Sequence, residues 1–267
     1  MSEPLDSVFQ SQWVVFALPA VLLVGFAELG FRLGLRLYVA TDTARKGEIS
    51  GIQGALLGLL GLLLGFTFAM AVSRYQARRD LVVKEANAIG TTFLRASLLP
   101  EAHQAPVEDL LRRYVEARLT FQPLAADPVK LAEGLRLSAD IQRQLWQHAV
   151  AVAKETPTPI VATFVITVNE TIDTEAERLA AARDRIPGTV WLLLLTVASL
   201  GCVTSNYIAG ADGARSVFSS IVFPLLVAVV IILIFDLADP SQGLIRITQQ
   251  PLVDLQDAIQ ANVRSGP

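Results

Sequence analysis

One stretch constrains this chain more than any other: GIQGALLGLLGLLLGFTFAMAV at 51–72, 22 residues without a formal charge. As a helix it is long enough to cross a hydrocarbon core of about 30 Å. Inside it, glycines at 51, 54, 58, 61 and 65 alternate spacings of three and four, which puts all five on one helical face. No proline interrupts the sequence until Pro100. The same rows continue through Tyr75, Arg79, Val82, Ala86, Ile89 and Phe93, so a partly apolar seam runs on beyond the membrane. One long rod is predicted to join the membrane and soluble parts.

The glycine face admits two readings. Small residues let a neighbouring helix approach closely where lipid offers no hydrophobic drive, so Gly51, Gly54, Gly58, Gly61 and Gly65 can form a helix-packing face. Alternatively, copies of this helix surround a pore, packed through small residues while an adjacent face lines the conduit. In an oligomer the two are compatible.

Composition agrees with a membrane protein: 52% of residues are hydrophobic and the mean hydropathy is positive. A net charge of −3 and the absence of zinc-finger or RNA-binding motifs argue against nucleic acid as a partner. The single cysteine, Cys202, lies in an apolar run, which excludes a disulfide framework and reads as a small packing residue. The N-terminal MSEPLDSVFQSQ carries Glu3 and Asp6 but no basic residue, which argues against a cleaved signal peptide.

Three further spans are predicted. The first, at about 10–31, has Trp13 as an interfacial ring, and its Glu28 can pair along the helix with Arg32, or bind an ion. A short polar linker is expected at 40–50. The third and fourth spans, at about 189–209 and 217–237, are joined by a tight hairpin at 210–215. Pro224 sits inside the last span, where it removes a backbone donor and should bend the helix. Four spans place both termini on one side.

Between the two membrane hairpins, 73–187 holds 15 basic and 15 acidic residues and reads as a soluble helical bundle. Pro100 ends the rod. Pro106 begins a pattern in Leu110, Leu111, Tyr114, Val115 and Leu119, and Asp127-Pro128 reads as a cap followed by a first-turn proline. That third helix should reach about Glu155, and a fourth should run from Pro159 to Arg185. Eight basic residues flank this side (Arg74, Arg78, Arg79, Lys84, Arg178, Arg183, Arg185 and Arg246) against five on the other (Arg32, Arg36, Arg45, Lys46 and Arg215). The excess predicts a cytoplasmic bundle and cytoplasmic termini. The fold class is therefore all-α, with domains at 1–72, 73–187, 188–238 and a tail at 239–267.

In that tail, Asp236 and Asp239 lie just past the bilayer edge. Pro240 and Gly243 make a post-span turn, and Pro251 starts a short amphipathic helix. Two carboxylates fall short of the six to eight oxygens that calcium prefers, so pairing with juxtamembrane arginines is expected. No cofactor or metal is expected. Catalysis is not expected either: the two histidines, His103 and His148, sit in no metalloprotease, phosphate-loop or nucleophile-elbow pattern and read as surface or satisfied helix residues.

These residues carry a resemblance. The end of span two, LLGFTFAMAVSRYQARRD, is similar to the bestrophin segment in which Gly-Phe is followed by Ser or Thr, Arg and an aromatic, here Gly65, Phe66, Ser73, Arg74 and Tyr75. The order of two spans, a helical insert, two spans and a tail agrees as well. So does the tail, through Asp239, Pro240, Gly243, Pro251, Leu252 and Asp254. RRDLVVKEANAIGTTFLRASLLPE and GLIRITQQPL resemble the bacterial bestrophin-like family closely.

The resemblance implies a pentameric channel in the bacterial inner membrane that passes ions passively, chloride or other small monovalent ions, through a hydrophobic neck. Carried over from the Gly-Phe match, the neck positions fall on Gly58, Leu62 and Phe66. Gly58 departs from the bulky type, which leaves a wider outer neck or none there. Arg74, Arg78 and Arg79 would stand at the cytosolic pore mouth and raise local anion concentration, or else anchor the helix and pair with Asp80 or Glu85. The acidic run that forms the calcium clasp of animal bestrophins is missing after Gly243. The rival reading is a non-conducting scaffold or sensor whose bundle binds a partner.

Overall fold

The computed structural model describes residues 12–37, 43–121, 128–238 and 245–265, and among these every regular element is helical. They fall into two compact units. The first comprises Met1–Arg74 with Arg185–Ile245, and the second Tyr75–Asp184 with Arg246–Pro267.

In the first unit, helix α1 runs over Gln12–Leu37 and contains Pro19. Helix α2, Thr43–Ala96, contributes its first half. It starts well before Gly51, so most of the expected linker is helix: residues 43–50 contain no proline to stop it. At 54 residues and 1.5 Å per residue it is about 80 Å long. Helix α6 covers Gly188–Ala211 and α7 covers Phe223–Ala238. Among the described residues, four helical stretches are long and apolar enough to cross a membrane, within Ala17–Arg36, Gly47–Ala96, Pro159–Ala211 and Phe218–Ala238.

The expected bend at Pro224 takes a specific form. A π-helical turn, Phe218–Val222, precedes α7, and the Phe223 N–H donates to the Phe218 carbonyl. Widening that turn makes room for a ring that would otherwise meet the carbonyl four residues earlier. Asn206, fully buried on α6, closes the gap. Its Nδ2 donates to the Cys202 and Ser219 carbonyls at 3.0 and 2.9 Å, while its Oδ1 accepts from the Ser220 hydroxyl at 2.7 Å. The turn after α6 uses Gly213 with φ +67°, a conformation open to glycine at no cost.

Close helix packing in this unit belongs to other glycines than those of α2. A Cβ on Gly30 would lie 2.3 Å from the Val203 carbonyl oxygen, one on Gly34 2.2 Å from that of Tyr207, and one on Gly210 2.2 Å from that of Phe31. Helices α1 and α6 thus touch backbone to backbone, as small residues permit in a bilayer.

In the second unit the later half of α2 packs with α3 (Glu101–Phe121), α4 (Pro128–Glu155), α5 (Pro159–Arg183) and α8 (Gln250–Ser265). Val82, Ala86, Ile89 and Phe93 of α2 meet Leu111 and Tyr114 of α3, Ile141 and Leu145 of α4, Phe164 and Val168 of α5, and Leu252 of α8 in one apolar core. Helix α5 starts as its sequence dictates, with Pro159 in the first turn and the Thr158 hydroxyl accepting the Val161 N–H. Helix α4 likewise begins at Pro128, while Asp127 lies outside the described residues. Helix α3 departs from expectation: it begins at Glu101 rather than at Pro106, which sits inside it. The Pro100 carbonyl accepts the N–H groups of His103 and Gln104. The helix therefore starts there, and Pro106 forfeits only its own bond.

Candidate functional site

Each glycine of the α2 face has open space where a Cβ would stand. Nothing lies within 4 Å of that position at Gly51, Gly54, Gly58, Gly61 or Gly65. On the neighbouring face Leu62 is 55% and Phe66 65% exposed. The first half of α2 meets its own chain on other sides, through Leu60, Thr67 and Ala71, all buried, and through Gln53, whose Nε2 donates to the Ser205 hydroxyl at 3.0 Å. Among the described residues, therefore, nothing of the same chain covers the glycine face or encloses Leu62 and Phe66.

The three candidate mouth arginines have different surroundings. Arg79 is exposed, Arg74 half-buried and Arg78 buried. Glu28 pairs with Arg32 one turn on, at 2.8 Å, and also with Arg215. The Arg215 guanidinium lies 4.6 Å from the Phe31 ring centroid, a favourable cation–π placement. Asp236 is buried, and its carboxylate accepts the Ile245 backbone N–H at 2.9 Å. Asp239, Pro240 and Gly243 lie outside the described residues. Among the described residues no group of three or more His, Cys, Asp and Glu is placed to hold a metal ion. Cys202 is buried.

Sequence reasoning missed two clusters in the second unit. The first is a buried charge network. Glu85 of α2 is fully buried and receives Arg118 of α3 at 2.7 Å and Arg178 of α5. Arg118 also reaches Glu175 of α5 at 2.7 Å. Glu175 accepts the Tyr114 hydroxyl at 2.8 Å and the Gln142 amide as well. Arg178 continues to the Gln249 side chain at 3.2 Å. Burial pulls the Arg178 guanidinium down to about 10, still charged at neutral pH, and burial, with the Glu175 carboxylate beside it, pushes the Tyr114 hydroxyl well up. Each charge has its opposite, the condition under which a low-dielectric core tolerates ions. A signal existed: Glu85 shares the inward face of α2 with Val82 and Ile89, where a lone carboxylate would be prohibitive.

The second is the histidine pair. His103 Nδ1 and His148 Nδ1 are 3.0 Å apart with rings edge to face, and His103 Nε2 meets a Glu155 carboxylate oxygen at 3.1 Å. One self-consistent proton arrangement has His103 donating from Nε2 to Glu155 and His148 donating from Nδ1 to His103. Burial, then the neighbouring His103, holds His148 below the ordinary histidine range.

Comparison with known proteins agrees with this architecture. A search of curated proteins finds no match. Among solved structures the chain is similar to that of a membrane protein at TM-score 0.65 and 15% identity, over 94% of this chain and 97% of the other. It is also similar to a mutant of a bacterial bestrophin homologue from Klebsiella pneumoniae, at TM-score 0.62 and 16% identity, over 93% and 97%. At such identities the likeness concerns the fold. The family profile of the bestrophin-like domain matches residues 21–252, most of the sequence, and the chain belongs to that family.

Proposed function

We propose that the protein is a homo-oligomeric, five-copy ion channel of the bacterial inner membrane, with its bundle and termini in the cytoplasm. It passes chloride or other small monovalent ions passively through a neck formed by Gly58, Leu62 and Phe66 of α2. The observation that carries this reading is the unfilled glycine face of α2 beside exposed Leu62 and Phe66. At 3.6 residues per turn the centre of the glycine face lies about 60° around the helix from Leu62. In a ring of five, the direction to a neighbour lies about 54° from the direction to the axis. Packing sister helices through the glycines therefore turns Leu62 inward and keeps Phe66 beside the axis.

A ring of apolar side chains around a narrow opening expels water, so the neck is the barrier to an ion and its width sets the flux. Gly58 adds no side chain, so the constriction rests on Leu62 and Phe66. The proposed mouth consists of Arg74 and Arg79, with Arg78, also on this stretch, buried. Purified protein in a planar bilayer tests the reading: currents are expected, with a several-fold rise in conductance for Phe66→Ala. A silent, well-folded oligomer would instead favour a membrane scaffold whose bundle binds a partner.

A further inference from the structure

A cavity of about 100 Å³ opens among α3, α4 and α5 in the second unit. Leu131 and Leu135 of α4 and Leu179 of α5 form its apolar wall, and Arg118, Glu175 and Ser138 its polar one. Two features distinguish it from a packing defect. Ser138 is only 2% exposed and lines the cavity. Among the described residues Arg118 directs Nε to Glu85 and Nη1 to Glu175 but Nη2 to neither, and Oε1 of Glu175 takes only the Arg118 bond, leaving a lone pair for a second donor. The cavity thus offers a guanidinium donor, a carboxylate acceptor and a hydroxyl against an apolar wall.

The charge state of the surroundings selects the ligand. Glu85 and Glu175 balance Arg118 and Arg178, so an added anion or cation would leave one buried charge uncompensated, a penalty of several kcal/mol per ion. A molecule carrying both charges brings its own compensation. Size selects further: an apolar cavity of about 150 Å³ takes a benzene of six heavy atoms, so one of about 100 Å³ takes no more than that.

We propose that this cavity binds a small zwitterion of glycine or alanine size, its carboxylate on Arg118 and Ser138, its ammonium on Glu175, and any methyl group toward Leu135 and Leu179. Occupancy would bridge α3, α4 and α5 and so stiffen the bundle.

Equilibrium dialysis of the detergent-solubilised full chain against radiolabelled glycine and alanine tests it, with acetate, methylamine and leucine as competitors. Saturable binding of glycine or alanine is expected, displaced at least tenfold less well by each competitor. Ser138→Ala should weaken binding about tenfold while leaving the unfolding temperature of the free protein unchanged, and Leu135→Trp, which fills the cavity, should abolish it. If Leu135→Trp fails to fold, Ser138→Ala decides alone. Absence of saturable binding, displacement by acetate or methylamine as readily as by glycine, or unchanged affinity in Ser138→Ala would overturn the proposal and leave a cavity that holds water.

Discussion

At Gly34 a single added methyl would stand 2.2 Å from the Tyr207 carbonyl oxygen, and no side-chain rotation can relieve a clash with backbone. Overpacking of this kind costs about 1–3 kcal/mol, more than the roughly 1 kcal/mol that alanine gains over glycine in a helix. Gly34→Ala should therefore lower the unfolding temperature in detergent, whereas Gly58→Ala, with open space around it, should not; thermal unfolding of the two variants checks this. His148 supplies a second residue-level outcome. Its folded form takes up a proton less readily than the unfolded chain, whose histidines titrate near 6.5. The stability it protects is complete above that value and is lost as pH falls from there toward the lowered folded value. Unfolding temperature measured from pH 8 to 5 should decline below about pH 6.5, and His148→Gln should flatten the decline. Neither feature was legible in the sequence. Gly30, Gly34 and Gly210 become a seam only when α1 and α6 meet, and His103 and His148 are 45 residues apart in sequence.

Elements were read more securely than pairings. The uncharged 51–72 run, the first-turn prolines 128 and 159, and the Leu110, Leu111, Tyr114 pattern of α3 each depend on local chemistry, and the corresponding helices are present. The start of α3 was misplaced because a proline was read as a helix start, whereas the carbonyl of Pro100 does that work. The π-turn before Pro224 is a strain-relieving detail that no periodicity encodes. The energetics of α2 in the bundle depend on Glu85, which both arginines address. Glu85→Ala leaves two buried guanidinium groups short of a partner and should cost about 3–5 kcal/mol. Lys84→Ala, which removes the exposed pair with Glu177, should be near neutral because water screens it. Thermal unfolding of the bundle would separate these; equal effects would mean that the buried network is dispensable.

For the whole molecule, sequence pattern and family agree on a four-span helical membrane protein, and the conduit proposed above would need more than one chain. Among the described residues nothing lies within 4 Å of where a Cβ would stand on Gly51, Gly54, Gly58, Gly61 and Gly65, and Leu62 and Phe66 are exposed. Because Cys202 is the sole cysteine and is buried, replacing it with serine gives a background in which a thiol at position 66 is the only one. Currents through Cys202→Ser/Phe66→Cys in a planar bilayer, recorded while a membrane-impermeant thiol reagent is added from the bundle side, test the central claim most directly. The account predicts progressive, irreversible block that the Cys202→Ser parent does not show. Unchanged currents with chemically verified labelling of the thiol would place residue 66 away from the ion path and contradict it.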